Sequence, residues 1–457
     1  MRTGWLAVAG TLILSCAASA FAQPPGTPAI PPVPLSETPP PAEPPLPGGA
    51  PVSQPLTPVD APPASLPTLV PLPAATPSPV VPTVRPSLIE RDAQTGKVLG
   101  DWWDSDELLF WWPKAHPMPP LVTGSRGAPP VRGQASTTLL VGKHSIDTQD
   151  IAGYRLIHGW SLNKDDTVGF EGRYFFLGTR TNAVSITDLG NDRVRAIGFP
   201  FRNAVTGQED VLNLVRPGFS SAMVTVSTTT RVQGAEANLI GNLYAAGGVK
   251  LHAIAGYRFF QANEGLRVET QWLQYPTPAS FSFQTLGMIA DQFDAHNEFH
   301  GGQVGLMADV HRGMFYVEVT GKAAFGTNFE MVRIDGATHL ATAGSPLPLL
   351  QSYHGGVYAQ GTNLGQYTRS VFAVVPEGTF KVGLKMGDRG RLYVGYNFLY
   401  LSDAVRPGDQ IDRTINPVQI PLLTRGAPFS GPERPQVPFV RSDFWAQGLV
   451  IGFETRF

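Results

Sequence analysis

Four short turns separate strand-like runs along this chain, and their spacing limits the folds that it can adopt. Each turn has the residue types of a β-hairpin, and they lie at 163–166, 246–248, 311–313 and 387–390. Much longer polar or Gly/Pro-rich segments precede, separate and follow these turns, at 114–149, 179–228, 262–292, 327–368 and 403–442. Because ordinary hairpin loops have about 2 to 5 residues, this alternation is typical of an outer-membrane β-barrel, with short periplasmic turns and long extracellular loops.

The same spacing gives a strand count. A first strand near 106–112 and a last one near 442–457 join the four hairpins to give about ten strands, and an even number closes an antiparallel barrel. Twelve strands result if 266–272 and 281–286 also enter the wall, although we favour an extracellular hairpin there. We therefore predict an all-β, antiparallel, up-and-down transmembrane barrel over 105–457.

The first 22 residues have the pattern of an export signal. Arg2 precedes an apolar run, and Ala20-Phe21-Ala22 forms a small-residue cleavage site. A lipoprotein signal ending at Cys16 is the alternative. Cleavage after Ala22 removes the only cysteine, so the mature chain would have neither a disulfide nor a thiolate metal site.

Residues 23–104 are predicted to form a disordered periplasmic arm and linker. The part from 23 to 86 is rich in Pro, Ala, Thr, Val and Ser and has no aromatic residue, so it cannot bury enough apolar surface to fold. Its prolines favour an extended form that would reach about 190 Å. The arm could tether the barrel to the cell wall or to a periplasmic protein, or it could be a spacer without a partner.

Charge and composition exclude some classes of function. A formal net charge of −2 argues against nucleic acid as a partner. A mean hydropathy of −0.04 is compatible with a barrel, whose strands alternate between apolar and polar faces. We expect no cofactor, no metal site and no catalytic motif, and the partners expected are outer-membrane lipids and the barrel assembly machinery.

Alternation along the strands predicts which side chains face the lumen, because successive side chains point to opposite faces. The candidate lumen-lining residues are Arg155, Glu171, Arg173, Glu236, Arg258, Glu318, Lys322, Lys381, Lys385, Glu454 and Arg456.

Aromatic residues lie near both ends of the strands, where the two girdles of a membrane barrel are expected. The predicted terminal and girdle aromatics are Trp111, Trp160, Tyr174, Tyr257, Tyr400, Trp445 and Phe457.

The chain resembles the bacterial β-barrel porin-seven family of outer-membrane proteins over about 106–457. The similarity is carried by ELLFWW at 107–112, PPLVT at 119–123, GAEANL at 234–239, GGQ at 301–303, FAVVPE at 372–377, VRPGDQIDR at 405–413 and DFWAQGL at 443–449. The resemblance implies a porin in the outer membrane but brings no catalytic motif and no substrate.

Several functions remain compatible with the sequence. Eight-stranded barrels are filled by their own side chains and open channels are typical of 16 to 18 strands, so ten strands give either a narrow pore or a charged plug with an envelope-structural or surface role. A surface enzyme is the alternative, since Asp294, His296, Glu298 and His300 share one side of a strand near the outer rim. The loop 405–413 either narrows the pore or is a turn held by its own ion pairs.

Overall fold

The computed structural model describes residues 101–142, 146, 149–163, 165, 167–189, 195–275, 284–343, 350–387, 389–424, 428 and 430–457. The predicted signal peptide 1–22, the alternative lipidation site Cys16 and the arm up to residue 100 lie outside the described residues. No helix in the described part of the chain is long and apolar enough to cross a membrane.

The described residues form seventeen strands and three short helical turns. The strands are β1 (Trp102–Pro113), β2 (Val122–Arg126), β3 (Thr137–Val141), β4 (Ile151–Ser161), β5 (Val168–Leu177), β6 (Arg180–Asp188), β7 (Arg195–Asn203), β8 (Glu209–Val215), β9 (Ser220–Ala246), β10 (Val249–Gln274), β11 (Gln284–Arg312), β12 (Phe315–Ala343), β13 (Leu350–His354), β14 (Gly365–Met386), β15 (Gly390–Ala404), β16 (Thr414–Ile415) and β17 (Ser442–Arg456). Pro407–Gln410 and Pro417–Gln419 form 3-10 turns, and α1 is Pro421–Thr424.

Ten of these strands close into an antiparallel barrel. Around the ring they follow the order β1, β4, β5, β9, β10, β11, β12, β14, β15 and β17. The ring closes where β1 pairs with β17, from Trp103 opposite Arg456 to Pro113 opposite Ala446. Trp102 stacks on Phe457 with ring centroids 4.0 Å apart at this seam. The predicted up-and-down barrel of about ten strands is confirmed.

The barrel has two different ends. The four short turns join β4 to β5, β9 to β10, β11 to β12 and β14 to β15, and they lie at the end that also holds the first and last barrel residues; we call it the turn end. The long connections emerge at the opposite end, the loop end. In the turn between β9 and β10, Gly247 and Gly248 have φ values of 63° and 82°, a region that only glycine adopts without strain.

Four neighbouring strands continue far beyond the length needed to cross a membrane. β9 to β12 have 27, 26, 29 and 29 residues, whereas a tilted strand crosses in about 9 to 11 residues. At about 3.3 Å per residue, their extensions stand on the order of 55 Å beyond the membrane, measured along the strand. Much of the predicted loops 179–228, 262–292 and 327–368 is therefore strand. Side chains in each extension still alternate between the two faces, and each extension pairs with its neighbour. The hydrogen-bonded strand pairing therefore continues beyond the membrane.

The segment 266–272 belongs to the upper part of β10, where Leu266 pairs with Phe293 and Trp272 with Gly287 of β11. It adds no strand to the ring, so the count of twelve is wrong. The extension stands above the membrane, as the hairpin interpretation expected, but it is continuous with the wall. Residues 281–283 lie outside the described residues.

A second sheet fills the loop end. It consists of β16, β7, β2 and β3, with β8 paired to β7, and we call it the cap. Its core packs against the inner face of the strand extensions; buried there are Leu121, Val122, Phe199, Phe201, Val226, Leu266, Phe293, Val332 and Tyr358. The predicted long loops are thus largely folded structure.

Candidate functional site

The lumen is the candidate site, because strand alternation directs most charged side chains of the wall into it. Odd positions of β11, β14 and β15 and even positions of β9, β10 and β12 point inward, as their burial shows. The candidate lumen-lining residues all lie on these inward faces of their strands. Eight of them are buried, and Lys385, Glu454 and Arg456 are partly exposed near the turn end.

Ten buried charges form one layer across the barrel, which we call the charged layer. Its members are Glu107, Arg155, Glu171, Arg173, Glu236, Arg258, Glu318, Lys322, Glu377 and Lys381. Five are acidic and five are basic, so the layer as a whole is neutral. Unpaired charges are costly in such a place, and this balance allows every member to be compensated.

Two glutamates connect most of the cations. Glu377 accepts from Arg258 at 2.5 Å and lies 3.3 Å from the Lys322 Nζ atom, and the same Nζ lies 2.7 Å from Glu236. Arg155 lies 3.8 Å from Glu377 and 3.1 Å from Glu107. The carboxylates are therefore shared, so that no single ion pair can be removed without affecting its neighbours.

The other side of the layer is arranged in the same way. Lys381 lies 3.0 Å from Glu107 and 3.3 Å from Glu318, and Arg173 donates to Glu171. The Tyr393 hydroxyl donates to Glu107 at 2.8 Å. The contacts of Glu107 with Lys381 and with Tyr393 join β1 to β14 and β15, which are not its neighbours in the ring.

Glu107 and Glu377 are central to the layer but are absent from the predicted lumen set. The signal was available in the sequence, since Glu377 shares its strand face with Lys381, four residues later. Glu107 precedes a run of apolar and aromatic residues, which concealed its inward position.

An apolar layer lies directly above the charged layer, on the side of the loop end. Trp111, Phe175, Phe260 and Phe444 form a chain of rings across the lumen, with successive centroids 5.4, 6.5 and 6.2 Å apart. The Arg155 guanidinium lies 5.4 Å from the Trp111 ring and joins the two layers. This part of the lumen therefore has apolar walls, which are unfavourable surroundings for water.

Trp111 therefore does not belong to the outer girdle that the sequence predicted. It is fully buried, whereas Leu108 and Trp112 are 51% and 37% exposed. Glu107 fixes the inward face of β1, and Trp111 lies four residues further on the same face. Trp112 occupies the outward position instead.

The other predicted girdle aromatics face outward. Trp160, Tyr174, Tyr257 and Phe457 are exposed. Tyr400 and Trp445 lie opposite each other on β15 and β17 and are partly buried.

A buried cluster of Arg406, Glu264 and His116 holds the connection after β15 inside the barrel, above the apolar layer; we call it the latch. Arg406 donates to both carboxylate oxygens of Glu264, at 2.6 and 2.8 Å, and to the carbonyls of Lys114 and Ala115. His116 lies 3.7 Å from Glu264 and shares a 2.7 Å hydrogen bond with the Thr230 hydroxyl. The latch connects the first and last long connections to the wall.

The latch lies beyond the membrane-spanning part of β10, about fifteen residues after its short turn. Burial alone would raise the pKa of the Glu264 carboxyl, but Arg406 and His116 outweigh it and lower this pKa. Burial lowers the pKa of His116. The ionised Glu264 and Arg406 thus form a pair shielded from water, beside an imidazole that burial favours in its neutral form.

The loop 405–413 folds inward, but it is not held by ion pairs of its own. Arg406 pairs with Glu264, Arg413 with Glu209 and Asp412 with Arg434. All three partners lie outside the loop, so other parts of the chain fix its position.

Polar side chains of the wall also bind loop backbone directly. Asn297 accepts from the Val405 amide at 2.8 Å and donates to the Val405 carbonyl at 2.9 Å. Asp291 accepts from the amides of Val357, Tyr358 and Ala359 at 2.9 to 3.2 Å. Because buried amides require partners, these contacts fix the loops against the wall.

Two members of the row proposed for a surface enzyme, Asp294 and His296, line an open pocket together with Arg231 and Arg267. Asp294, His296, Glu298 and His300 occupy the outward positions of β11. Glu298 lies 3.0 Å from His300 and accepts from Gln261 at 3.2 Å, so part of the row belongs to a hydrogen-bonded belt around the outside of the barrel. No group of three or more His, Cys, Asp or Glu among the described residues is arranged to hold a metal ion.

The comparisons with known proteins agree with this geometry. A family model described as beta barrel porin-7 (BBP7) matches residues 103–457. This chain belongs to the beta barrel porin-7 family. As a member of that family it is an outer-membrane β-barrel protein.

Similarity to proteins of solved structure is distant. The outer membrane protease OmpT from Escherichia coli is 9% identical, with 78% of this chain and 97% of that chain covered and a TM-score of 0.39. Outer-membrane expressed OmpT of Vibrio cholerae is 9% identical, with 77% and 98% covered and a TM-score of 0.12. At these TM-scores neither similarity supports an argument about function. No curated protein matches the chain.

Proposed function

We propose that this member of the beta barrel porin-7 family is a closed, non-enzymatic barrel that anchors a folded head at the cell surface. The head consists of the extensions of β9 to β12 together with the cap. The observation that carries the proposal is the burial of the charged layer. Residues lining an open aqueous pore contact water, whereas Glu107 is fully buried and Arg258, Lys322 and Glu377 are 1%, 4% and 5% exposed.

Three successive barriers support a closed lumen. The charged layer crosses it first, the chain of rings around Phe175 and Phe260 lies above, and the latch around Arg406 lies above that. A solute would have to break buried ion pairs, cross apolar walls and displace the connection after β15. Removing one partner from a buried pair costs about 3 to 5 kcal/mol, so the charged layer opposes passage, and the two further barriers add to that opposition.

The head supports the second half of the proposal. The extensions of β9 to β12 and the cap share one buried core. A shared core favours one folded body, rather than independent loops, at the outer surface. An envelope-structural or surface-binding role needs such a body, whereas a general pore does not.

Swelling of proteoliposomes tests the proposal. We expect vesicles that contain the folded protein to swell no faster in an isotonic sugar solution than empty vesicles. A conducting porin in matched vesicles serves as the positive control. Rapid swelling with the folded wild-type protein would contradict the closed lumen.

A further inference from the structure

The turn end of the barrel contains a cavity that the closed lumen does not explain. It has a volume of about 90 Å³ and opens on the side expected to face the periplasm. Arg173, Glu318 and Lys381 of the charged layer line its inner part. The cavity therefore ends against the charged layer.

The cavity lining contains both basic and acidic side chains. Lys250, His252 and Arg391 line the cavity, and Lys385 lies directly opposite Arg391 in the ladder between β14 and β15, on the same inward face. Like charges placed opposite each other across two strands are destabilising. The pair Lys385 and Arg391 is thus an arrangement that a bound anion would relieve.

The nearby carboxylates are mostly engaged with other cations. Asp309 accepts from Arg391 at 2.9 Å, and Glu454 accepts from Arg456 at the same distance. Asp101 lies exposed at the edge of the cavity. Among the described residues, neither Lys250 nor Lys385 has a side-chain hydrogen bond or salt bridge. Lys250 lines the concave surface, where the field of a charge is concentrated, and Lys385 lies next to it, opposite the lining residue Arg391.

Another part of the cavity lining is apolar. Trp103, Ile157, Val168, Ile240 and Met307 form it. An apolar cavity of about 150 Å³ accommodates benzene, so a cavity of about 90 Å³ suits a smaller group. A carboxylate carrying a short aliphatic side chain fits both the size and the mixed polar and apolar lining.

We propose that this cavity binds the carboxyl terminus of a periplasmic peptide whose last residue has a small apolar side chain. Lys385 and Lys250 provide charge-assisted hydrogen bonds to the terminal carboxylate, and the wall around Ile157 and Ile240 contacts the side chain. Capture of a terminal carboxylate is a recurring mode of peptide recognition. The proposal goes beyond the anchoring role, because it assigns a ligand to the opposite end of the barrel.

Calorimetric titration of the full-length protein in detergent tests the site. The probes are acetyl-Ala-Ala, which has a free carboxylate, and its amide, which has none. We expect the acid to bind and the amide to bind at least tenfold more weakly. Absence of binding by the acid, or equal binding of acid and amide, would overturn the proposal, and this comparison requires no variant.

Substitutions then assign the residues. We expect the double change Lys250→Gln and Lys385→Gln to weaken binding of the acid at least tenfold. Arg312→Gln should leave it unchanged, because Arg312 is exposed at a short turn and neither lines the cavity nor pairs with a residue that does. Folding of each variant is checked by its heat-modifiable migration in gel electrophoresis. A folded double variant that binds like the wild type would refute the assignment.

The configuration of the probe identifies the source of the peptide. Stronger binding of the D-Ala-terminated acid indicates a cell-wall peptide, and stronger binding of the L-Ala-terminated acid indicates a protein tail. Either result supports the carboxylate site. Conductance and swelling do not depend on this site, so a failed titration leaves the closed lumen standing.

Discussion

At the residue scale, the charged layer depends on shared partners rather than on isolated pairs. Lys322 lies between Glu236 and Glu377, and Arg258 contacts the same two carboxylates. Removing one cation leaves an uncompensated carboxylate away from water. Removing a cation and an anion together keeps the layer neutral.

This arrangement predicts the effect of Lys322→Met. The free energy of unfolding should fall by about 3 to 5 kcal/mol, because Glu236 and Glu377 lose a common partner. Adding Glu236→Gln should restore part of the loss. Urea unfolding in detergent measures both variants, with Arg389→Met at an exposed turn position as the matched control. A single variant as stable as the control would show that the layer is not a coupled network.

Asp291 predicts a dependence of stability on pH. Burial raises the pKa of its carboxyl from 3.8 to about 6, although the amides of Ala359, Val357 and Tyr358 oppose the shift. Asp291 lies in the extension of β11, outside the membrane. Because the folded protein holds this proton more tightly than the unfolded chain, the contribution is full below the unfolded value and is lost as pH rises to about 6.

The expected change in the free energy of unfolding is the pKa shift of Asp291 multiplied by about 1.4 kcal/mol per pKa unit. Between about pH 3 and about pH 7, the wild type should lose about 3 kcal/mol of unfolding free energy relative to Asp291→Asn, which cannot ionise. Chemical unfolding at the two pH values measures the difference. The same pH dependence in both proteins would show that Asp291 does not titrate in this range.

Which residues face the lumen was readable from the sequence, but the residues they contact were not. The alternation of side chains along the strands predicted that Lys322 and Arg258 face inward, and both are buried on the inward faces of their strands. The same rule applied from Glu107 would have placed Trp111 inside. Partners across the lumen, such as Lys381 and Glu107, depend on strand tilt and register, which alternation does not encode.

At the scale of elements, the long connections carry most of what sequence reasoning missed. Hairpin chemistry located all four short turns, since each lies where two alternating runs meet. The extensions of β9 to β12 were assigned to loops because their outer face is polar and so lacks the signal of a lipid-facing strand. The cap strands are short, and β16 has only two residues, so no local period identifies them.

The latch predicts that one side chain holds the connection after β15. Arg406→Met removes the bidentate contact and leaves Glu264 buried without its partner. We expect proteinase K added outside intact cells to cut this connection much faster than in the wild type. Arg441→Met is the matched control, because Arg441 is 63% exposed and lies 3.8 Å from Asp403. Equal cleavage of the wild type and Arg406→Met would indicate that the cap alone, and not Arg406, holds this connection in place.

At the scale of the whole molecule, the barrel is a wall whose interior is filled from the charged layer to the loop end. The cavity at the turn end stops at the charged layer, and the cap fills the loop end. The ring of ten strands was predictable from turn spacing. Our proposal that it is closed rather than merely narrow rests on ion pairs between distant strands and on the folded connections.

Single-channel recording in planar bilayers tests the closed lumen most directly. The purified, folded wild-type protein is inserted beside a conducting porin that verifies the bilayer and the insertion. We expect no stepwise increase in current from this protein, because the charged layer, the rings around Phe260 and the latch around Arg406 lie in series across the lumen. Uniform, repeated current steps from the folded wild-type protein would contradict the account and establish an open pore.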